Sequence, residues 1–149
     1  MTRLVIDASV AIKWVVQEAG TEQALALKRD HRMAAPDLLM AECANILWKK
    51  AARTELTPEQ AAFAARLLER ADIELVPMRS LLEAATRLAL DLDHPAYDCI
   101  YLALALQDRA PLVTADARML ARIRADPSGR FADVALSLAD APSRLQAAP

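Results

Sequence analysis

The sequence predicts an α/β protein in which helices cover a parallel sheet. Three observations predict it. Short unbroken runs such as Leu4-Val5-Ile6 and Leu112-Val113-Thr114 read as strands buried on both faces. These runs alternate with longer segments of helical character, the pattern of a parallel sheet with crossover helices. The chain is 55% hydrophobic, largely through Ala and Leu, and only 4% aromatic. That composition favours a helix-rich globular chain over a disordered one.

In chain order, Leu4 to Ile6 is the first strand and Val10 to Val16 a short helix. Thr21 to Lys28 is a helix preceded by Gly20, and Met33 to Ala35 a short strand before Pro36. Leu38 to Arg53 is a long helix. Thr57-Pro58-Glu59-Gln60 is a strong helix start, with a Thr cap, Pro in the first turn and Gln three residues on; that helix runs to about Arg70. Ile73 to Val76 is a strand stopped by Pro77. Ser80-Leu81-Leu82-Glu83 reads as another capping box, opening a helix to about Leu92. His94-Pro95 starts the next helix, through Gln107. Leu112 to Thr114 is a strand, followed by a helix from Ala117 to Arg124. Val134 to Leu138 is a last short strand, and the end from Ala141 reads as a loose tail.

At 149 residues the chain is expected to be a single domain, 1–149, with that tail at about 141–149. The longest apolar run, Cys99 to Leu106, is far shorter than the ~18 residues of a membrane span. Asp7 interrupts the first apolar stretch too early for a signal peptide. Cys43 and Cys99 supply neither a disulfide framework nor a metal-ligand spacing. The expectation is a cytoplasmic protein with reduced, buried thiols.

Four acids stand where a carboxylate is out of place. Asp7 ends the first strand, Glu42 interrupts the apolar stripe of a helix, Asp98 opens the most apolar helix, and Asp116 follows the strand ending at Thr114. A buried unpaired carboxylate is costly, so a cation or hydrogen-bond donors should await it. No Lys or Arg adjoins any of the four. In a parallel sheet, ligands sit beyond the carboxyl ends of the strands, which puts Asp7 and Asp116 on one rim. Glu42 shares a helix face with Leu38, Asn45 and Ile46. Each acid also has a local reading. Asp7 and Asp116 can be helix N-caps. Asp98 can be a favourable charge near a helix N-terminus. Glu42 can be half of a buried ion pair. These local readings are independent of one another, whereas convergence around a metal explains all four.

Other chemistries fare worse. Two glycines, Gly20 and Gly129, cannot write a phosphate loop or a dinucleotide fingerprint. His31 and His94 have no partner at metal-ligand spacing and read as surface or cap residues. Carboxylates flank both cysteines, which disfavours a thiolate nucleophile. A phosphoaspartate receiver would place a second acid near Asp7, where this chain has Ser9. The net charge of −2 does not advertise a nucleic-acid binder, although the chain without the four acids is net basic. Lys13, Lys49, Lys50 and Arg53 lie downstream of two of the acids and can meet RNA phosphates, or form a solvated helix surface. Trp14 and Trp48 read as core or as part of a partner-binding face.

Four segments, in order, carry a resemblance: Leu4-Val5-Ile6-Asp7-Ala8-Ser9; Pro36 to Glu42 with Asn45; Tyr97-Asp98-Cys99-Ile100-Tyr101-Leu102-Ala103-Leu104-Ala105; and Pro111-Leu112-Val113-Thr114-Ala115-Asp116. Together they resemble PIN-domain proteins, above all the VapC-type toxins of bacterial toxin–antitoxin modules, from about Leu4 to Phe131. The chain departs from some relatives by carrying Arg118 two positions after Asp116, where they have a further acid. The resemblance implies a three-layer α/β/α sandwich with a central parallel sheet. It implies an endoribonuclease dependent on Mg²⁺, with Mn²⁺ able to substitute, and one or two ions per site. It assigns Asp7, Glu42, Asp98 and Asp116 to the metal or its waters. Ser9 and Thr114 are then candidates to orient Asp7 and Asp116, with local turn or cap bonds as the alternative, and Asn45 is a candidate to orient Glu42, with a plain helix-face amide as the alternative. Carboxylates without histidines suit a hard ion. The implied partners are an RNA substrate, a cognate antitoxin whose tail covers the acidic groove, and a second copy in a homodimer. The alternatives are a catalytically silent PIN-fold module that binds RNA or regulates, and an RNA-processing nuclease that is not a toxin.

Overall fold

The computed structural model describes residues 1–147. Its centre is one five-stranded, fully parallel sheet in the order β3-β2-β1-β4-β5. The strands are β1 (Arg3–Ile6), β2 (Arg32–Pro36), β3 (Glu74–Val76), β4 (Leu112–Thr114) and β5 (Ala135–Ser137). Leu4, Val5, Ile6, Leu112 and Val113 are fully buried, as the unbroken apolar runs require of strands covered on both faces. The helices that cover the sheet are α1 (Ala8–Ala11), α2 (Thr21–Asp30), α3 (Leu38–Ala52), α4 (Pro58–Glu69), α5 (Leu82–Leu92), α6 (Ala96–Asp108), α7 (Ala117–Arg124) and α8 (Ala141–Gln146). This is the α/β/α architecture that the sequence predicts.

The strand order decides where a site can form. From β1 the chain builds outward through β2 to β3, then returns to place β4 on the opposite side of β1. The order therefore reverses between β1 and β4, and a crevice opens there beyond the strand ends. Val5 pairs with Leu112 and Ile6 with Val113, so the next residues on the two strands, Asp7 and Thr114, emerge side by side. Helix α6 packs on β1 and β2, and α3 packs on β2 and α1. Asp37 ties the start of α3 to the far edge of the sheet: its amide donates to Val76 O, and its carboxylate accepts from Met78 N at 3.0 Å.

Local details depart from the sequence reading in three places. The Thr57–Gln60 capping box forms as predicted. The one predicted at Ser80 does not. Pro77 is followed by a 3-10 turn, Met78–Leu81, which puts Ser80 inside the turn; its hydroxyl donates back to Pro77 O and α5 starts uncapped at Leu82. The short helix expected over Val10 to Val16 starts earlier, at Ala8, and tightens into a 3-10 turn over Ile12–Trp14. The tail expected to be loose from Ala141 instead forms α8, because Ala141 is fully buried and Arg144 reaches Asp133. Residues 148 and 149 of that tail lie outside the described residues.

Candidate active site

Asp7 is the best-held acid in the molecule. It ends β1, caps α1, and is buried. Its Oδ1 accepts from the Ser9 hydroxyl at 2.5 Å and from Val10 N at 3.3 Å, while its Oδ2 accepts from the Thr114 hydroxyl. Burial pushes its carboxyl up to about 6; the bonds from Ser9, Thr114 and Val10 oppose that rise, and the charge of Asp116 adds to it. The local cap and the site reading are thus both true of this residue. The donors orient the group without neutralising it.

Ser9 and Thr114 are joined in turn. Their hydroxyl oxygens lie 3.3 Å apart, Ala115 N donates to Ser9 Oγ, and Asp116 N donates to Thr114 Oγ1 at 3.0 Å. Both belong to one hydrogen-bonded network with Asp7, and through its amide with Asp116. The Asp116 side chain caps α7, accepting on Oδ1 from Arg118 N at 2.9 Å and Met119 N at 3.2 Å.

Glu42 projects from α3 toward the same rim. Its Oε1 is buried and makes no hydrogen bond, and the Tyr101 hydroxyl of α6 is likewise buried without a well-formed bond. Burial pushes the Glu42 carboxyl upward; the nearby Tyr101 hydroxyl counters this, and the charges of Asp98 and Asp7 reinforce it. Tyr101 lies within one of the motif segments but was given no role by the sequence reading, although its position three residues after Asp98 on the inner face of α6 was a usable signal. Asn45 is exposed and makes no hydrogen bond to Glu42 among the described residues.

Asp98, in the first turn of α6, meets His94 instead of the helix amides: His94 Nε2 lies 2.6 Å from Asp98 Oδ2. The expectation that His94 is a plain surface or cap residue is therefore corrected. The i to i+4 spacing across a helix start was the signal for it.

The four acids are linked through their charges. Asp7 senses the charge of Asp116, and Glu42 senses both Asp98 and Asp7. No Lys or Arg forms an ion pair with any of them among the described residues. That disposes of the buried ion pair as an explanation for Glu42. As the side chains stand, no three Asp, Glu, His or Cys among the described residues are positioned to hold one ion. Two of the carboxylates are turned aside, Asp116 to the amides of α7 and Asp98 to His94. The donor set still fits a hard cation: Glu42 Oε1 is a buried oxygen without a partner, and all four groups are carboxylates. The cysteines do not compete, because burial pushes the Cys43 thiol up to about 12 and the Cys99 thiol up to about 11.

Residues 4–125 match the PIN domain family. The chain belongs to that family. A VapC ribonuclease of Mycobacterium bovis and ribonuclease VapC9 of Mycobacterium tuberculosis are each 31% identical to it over 116 residues, 78% of this chain and 87% of theirs. Among solved structures, PAE2754 from Pyrobaculum aerophilum superposes with a TM-score of 0.66 at 23% identity, covering 99% of this PIN-domain chain and 97% of its own. VapBC2 from Rickettsia felis, bound to a promoter DNA fragment, gives 0.64 at 12% identity over 91% and 98%. Mycobacterium tuberculosis VapC20, a sarcin–ricin loop cleaving toxin, gives 0.62 at 14% identity over 79% and 93%. These structures share the fold, and the curated relatives place the chain with the VapC proteins.

The basic residues divide into two pairs. Lys13 and Lys50 are mostly buried and share one acid, Glu18, at 2.8 and 2.9 Å; Lys50 also reaches Glu55. Burial alone would push Glu18 up, yet the two lysines hold it below its ordinary value. Lys49 and Arg53 are exposed on α3 and its end, and make no ion pair among the described residues. Trp14 belongs to the packed interior edge: its indole N–H donates to Ala24 O at 3.0 Å, and Lys28 sits over its ring. Trp48 is 64% exposed and is not core. Among the described residues, no helix is long and apolar enough to cross a membrane.

Proposed function

We propose that this PIN-domain protein is a divalent-metal-dependent endoribonuclease and the toxin of a toxin–antitoxin pair. One observation carries the chemistry: Asp7 and Glu42 are two acids at the rim, one buried and one half-buried, that no protein cation neutralises. The ribonuclease names of the VapC relatives supply the substrate class. Asp7, Glu42, Asp98 and Asp116 hold the ion, Mg²⁺ with Mn²⁺ as substitute, one or two per site. An ion bound there supplies an activated water and a counter-charge for the reacting phosphate. Ser9 and Thr114 keep Asp7 in one orientation by bonding one to each of its oxygens, which leaves lone-pair capacity on Oδ2, so its placement does not have to be found during the reaction. Asp116 turns from the amides of α7 toward the ion, and Asp98 keeps His94 on one oxygen while offering the other. Of Lys13, Lys49, Lys50 and Arg53, the two that make no ion pair among the described residues, Lys49 and Arg53, meet RNA phosphates. An antitoxin partner is supported by VapBC2 of Rickettsia felis, which is a pair. A homodimer is part of the same reading.

The test is cleavage of total RNA by purified, antitoxin-free protein with Mg²⁺, Mn²⁺ or EDTA, with Asp7→Asn in parallel. Metal-dependent cleavage that Asp7→Asn abolishes supports the proposal. RNA binding without cleavage in the wild type would favour the silent binding module. Sequenced RNA ends after induced expression separate a growth-arresting toxin from a processing nuclease.

A further inference from the structure

The link between α5 and α6 is built to hold one side chain in place. Asp93 ends α5 in the left-handed conformation, with φ 49°, a costly state for a residue other than glycine. It is pinned there from α7, since Arg122 Nη2 donates to Asp93 O at 2.9 Å. His94 N donates back to Ala89 O, and Pro95 then fixes the backbone at the entry to α6. The result folds the His94 ring over the first turn of α6, where Nε2 meets Asp98 Oδ2 at 2.6 Å. An ionised carboxylate only accepts, so this contact puts a proton on Nε2 and makes His94 the donor.

The pair is not an ordinary helix-surface contact. The Glu83–Arg87 pair has the same i to i+4 spacing, with side chains 81% and 76% exposed; His94 and Asp98 are 18% and 29% exposed. A short bond at that depth, on an acid whose charge Glu42 senses, has a purpose beyond capping. We propose that His94 is a positioning residue for the metal site: it occupies Asp98 Oδ2, fixes the carboxylate, and leaves Oδ1, which has no protein partner among the described residues, as the oxygen offered to the ion. Carboxylate ligands are commonly oriented by such outer hydrogen bonds, and losing one typically costs ~10–100-fold in metal affinity. This inference rests on the metal reading above.

The test is Mn²⁺ binding to the full chain without RNA, measured calorimetrically at pH 8, for wild type, His94→Ala and His94→Gln. The melting temperature in EDTA is recorded for each. The expected result is binding by wild type, affinity lower by ~10–100-fold in His94→Ala, and recovery of most of it in His94→Gln, whose amide N–H can donate to Oδ2. Equal Mn²⁺ affinity in wild type and His94→Ala overturns the inference and leaves the metal reading standing. Equal loss in both variants, tracking a fall in melting temperature in EDTA, also overturns it, because His94 would then be only structural. If the wild type takes up no Mn²⁺ at millimolar concentration, the metal reading itself falls. Should His94→Ala fail to fold, His94→Phe against His94→Gln makes the same comparison of a ring without a donor and a donor without a ring.

Discussion

Thr114, on β4, donates its hydroxyl to Asp7 Oδ2, at the end of β1, and the two sit side by side because Ile6 pairs with Val113. The same Thr114 oxygen accepts from Asp116 N. One buried hydroxyl therefore joins the two acids nearest the reversal of strand order. Thr114→Val keeps the shape and the β-branch but removes both bonds. It should cost ~1.5–3 kcal/mol at pH 8, where Asp7 is charged, and less at pH 5, because hydrogen bonds to an ion are the stronger ones. Urea unfolding at the two pH values checks this; an equal loss at both would separate the bond from the charge of Asp7.

The raised Asp7 carboxyl makes metal-free stability fall as pH rises. The folded state holds the proton up to about 6, whereas the unfolded chain releases it near 3.8. The contribution is complete below the unfolded value and is lost as pH climbs through the folded one. Of a total of ~3 kcal/mol, ~2 kcal/mol should be lost between pH 4 and 6. Glu18, held below its ordinary value by Lys13 and Lys50, acts in the opposite sense and weakens the fold as pH falls. Subtracting the Asp7→Asn profile from the wild-type profile, both in EDTA, isolates the Asp7 component. A flat difference between pH 4 and 6 would show that the carboxyl is not raised.

Mg²⁺ or Mn²⁺ should raise the melting temperature of the wild type, by binding only the native state. Asp7→Asn should melt higher than wild type in EDTA at pH 8, since a charge buried beside Asp116 and Glu42 is gone, and should lose the response to metal. The check is a thermal titration over the millimolar range. A wild type indifferent to metal, or a variant that responds fully, contradicts Asp7 as a ligand.

RNA affinity should depend on Lys49 and Arg53 more than on Lys13 and Lys50, because Glu18 already engages the latter pair. Each of Lys49→Ala and Arg53→Ala should flatten the salt dependence of binding by about one phosphate contact, ~0.7 in the logarithmic slope for a single strand. Lys13→Ala should leave the slope nearly unchanged and lower stability instead. Binding isotherms for catalytically inactive Asp7→Asn carrying these changes, at several salt concentrations, decide between the two pairs.

The sequence by itself determined the parallel α/β class, because buried strands must be continuously apolar and their crossovers helical, and both patterns are local. It also singled out Asp7, Glu42, Asp98 and Asp116, because a carboxylate within an apolar run is conspicuous without coordinates. Its local errors at Ser80 and Ala141 came from neighbours: Pro77 draws Ser80 into a 3-10 turn, and burial of Ala141 orders a segment whose composition looks loose. Only the tertiary structure decided which oxygens meet. The bonds from Thr114 to Asp7 and from Lys50 to Glu18 join residues far apart in the chain, and the burial of Glu42 near Tyr101 depends on how α3 and α6 pack against β2 and β1. Periodicity reports which face a side chain takes. Its partner across the crevice is chosen by strand order and helix packing, which are properties of the whole chain.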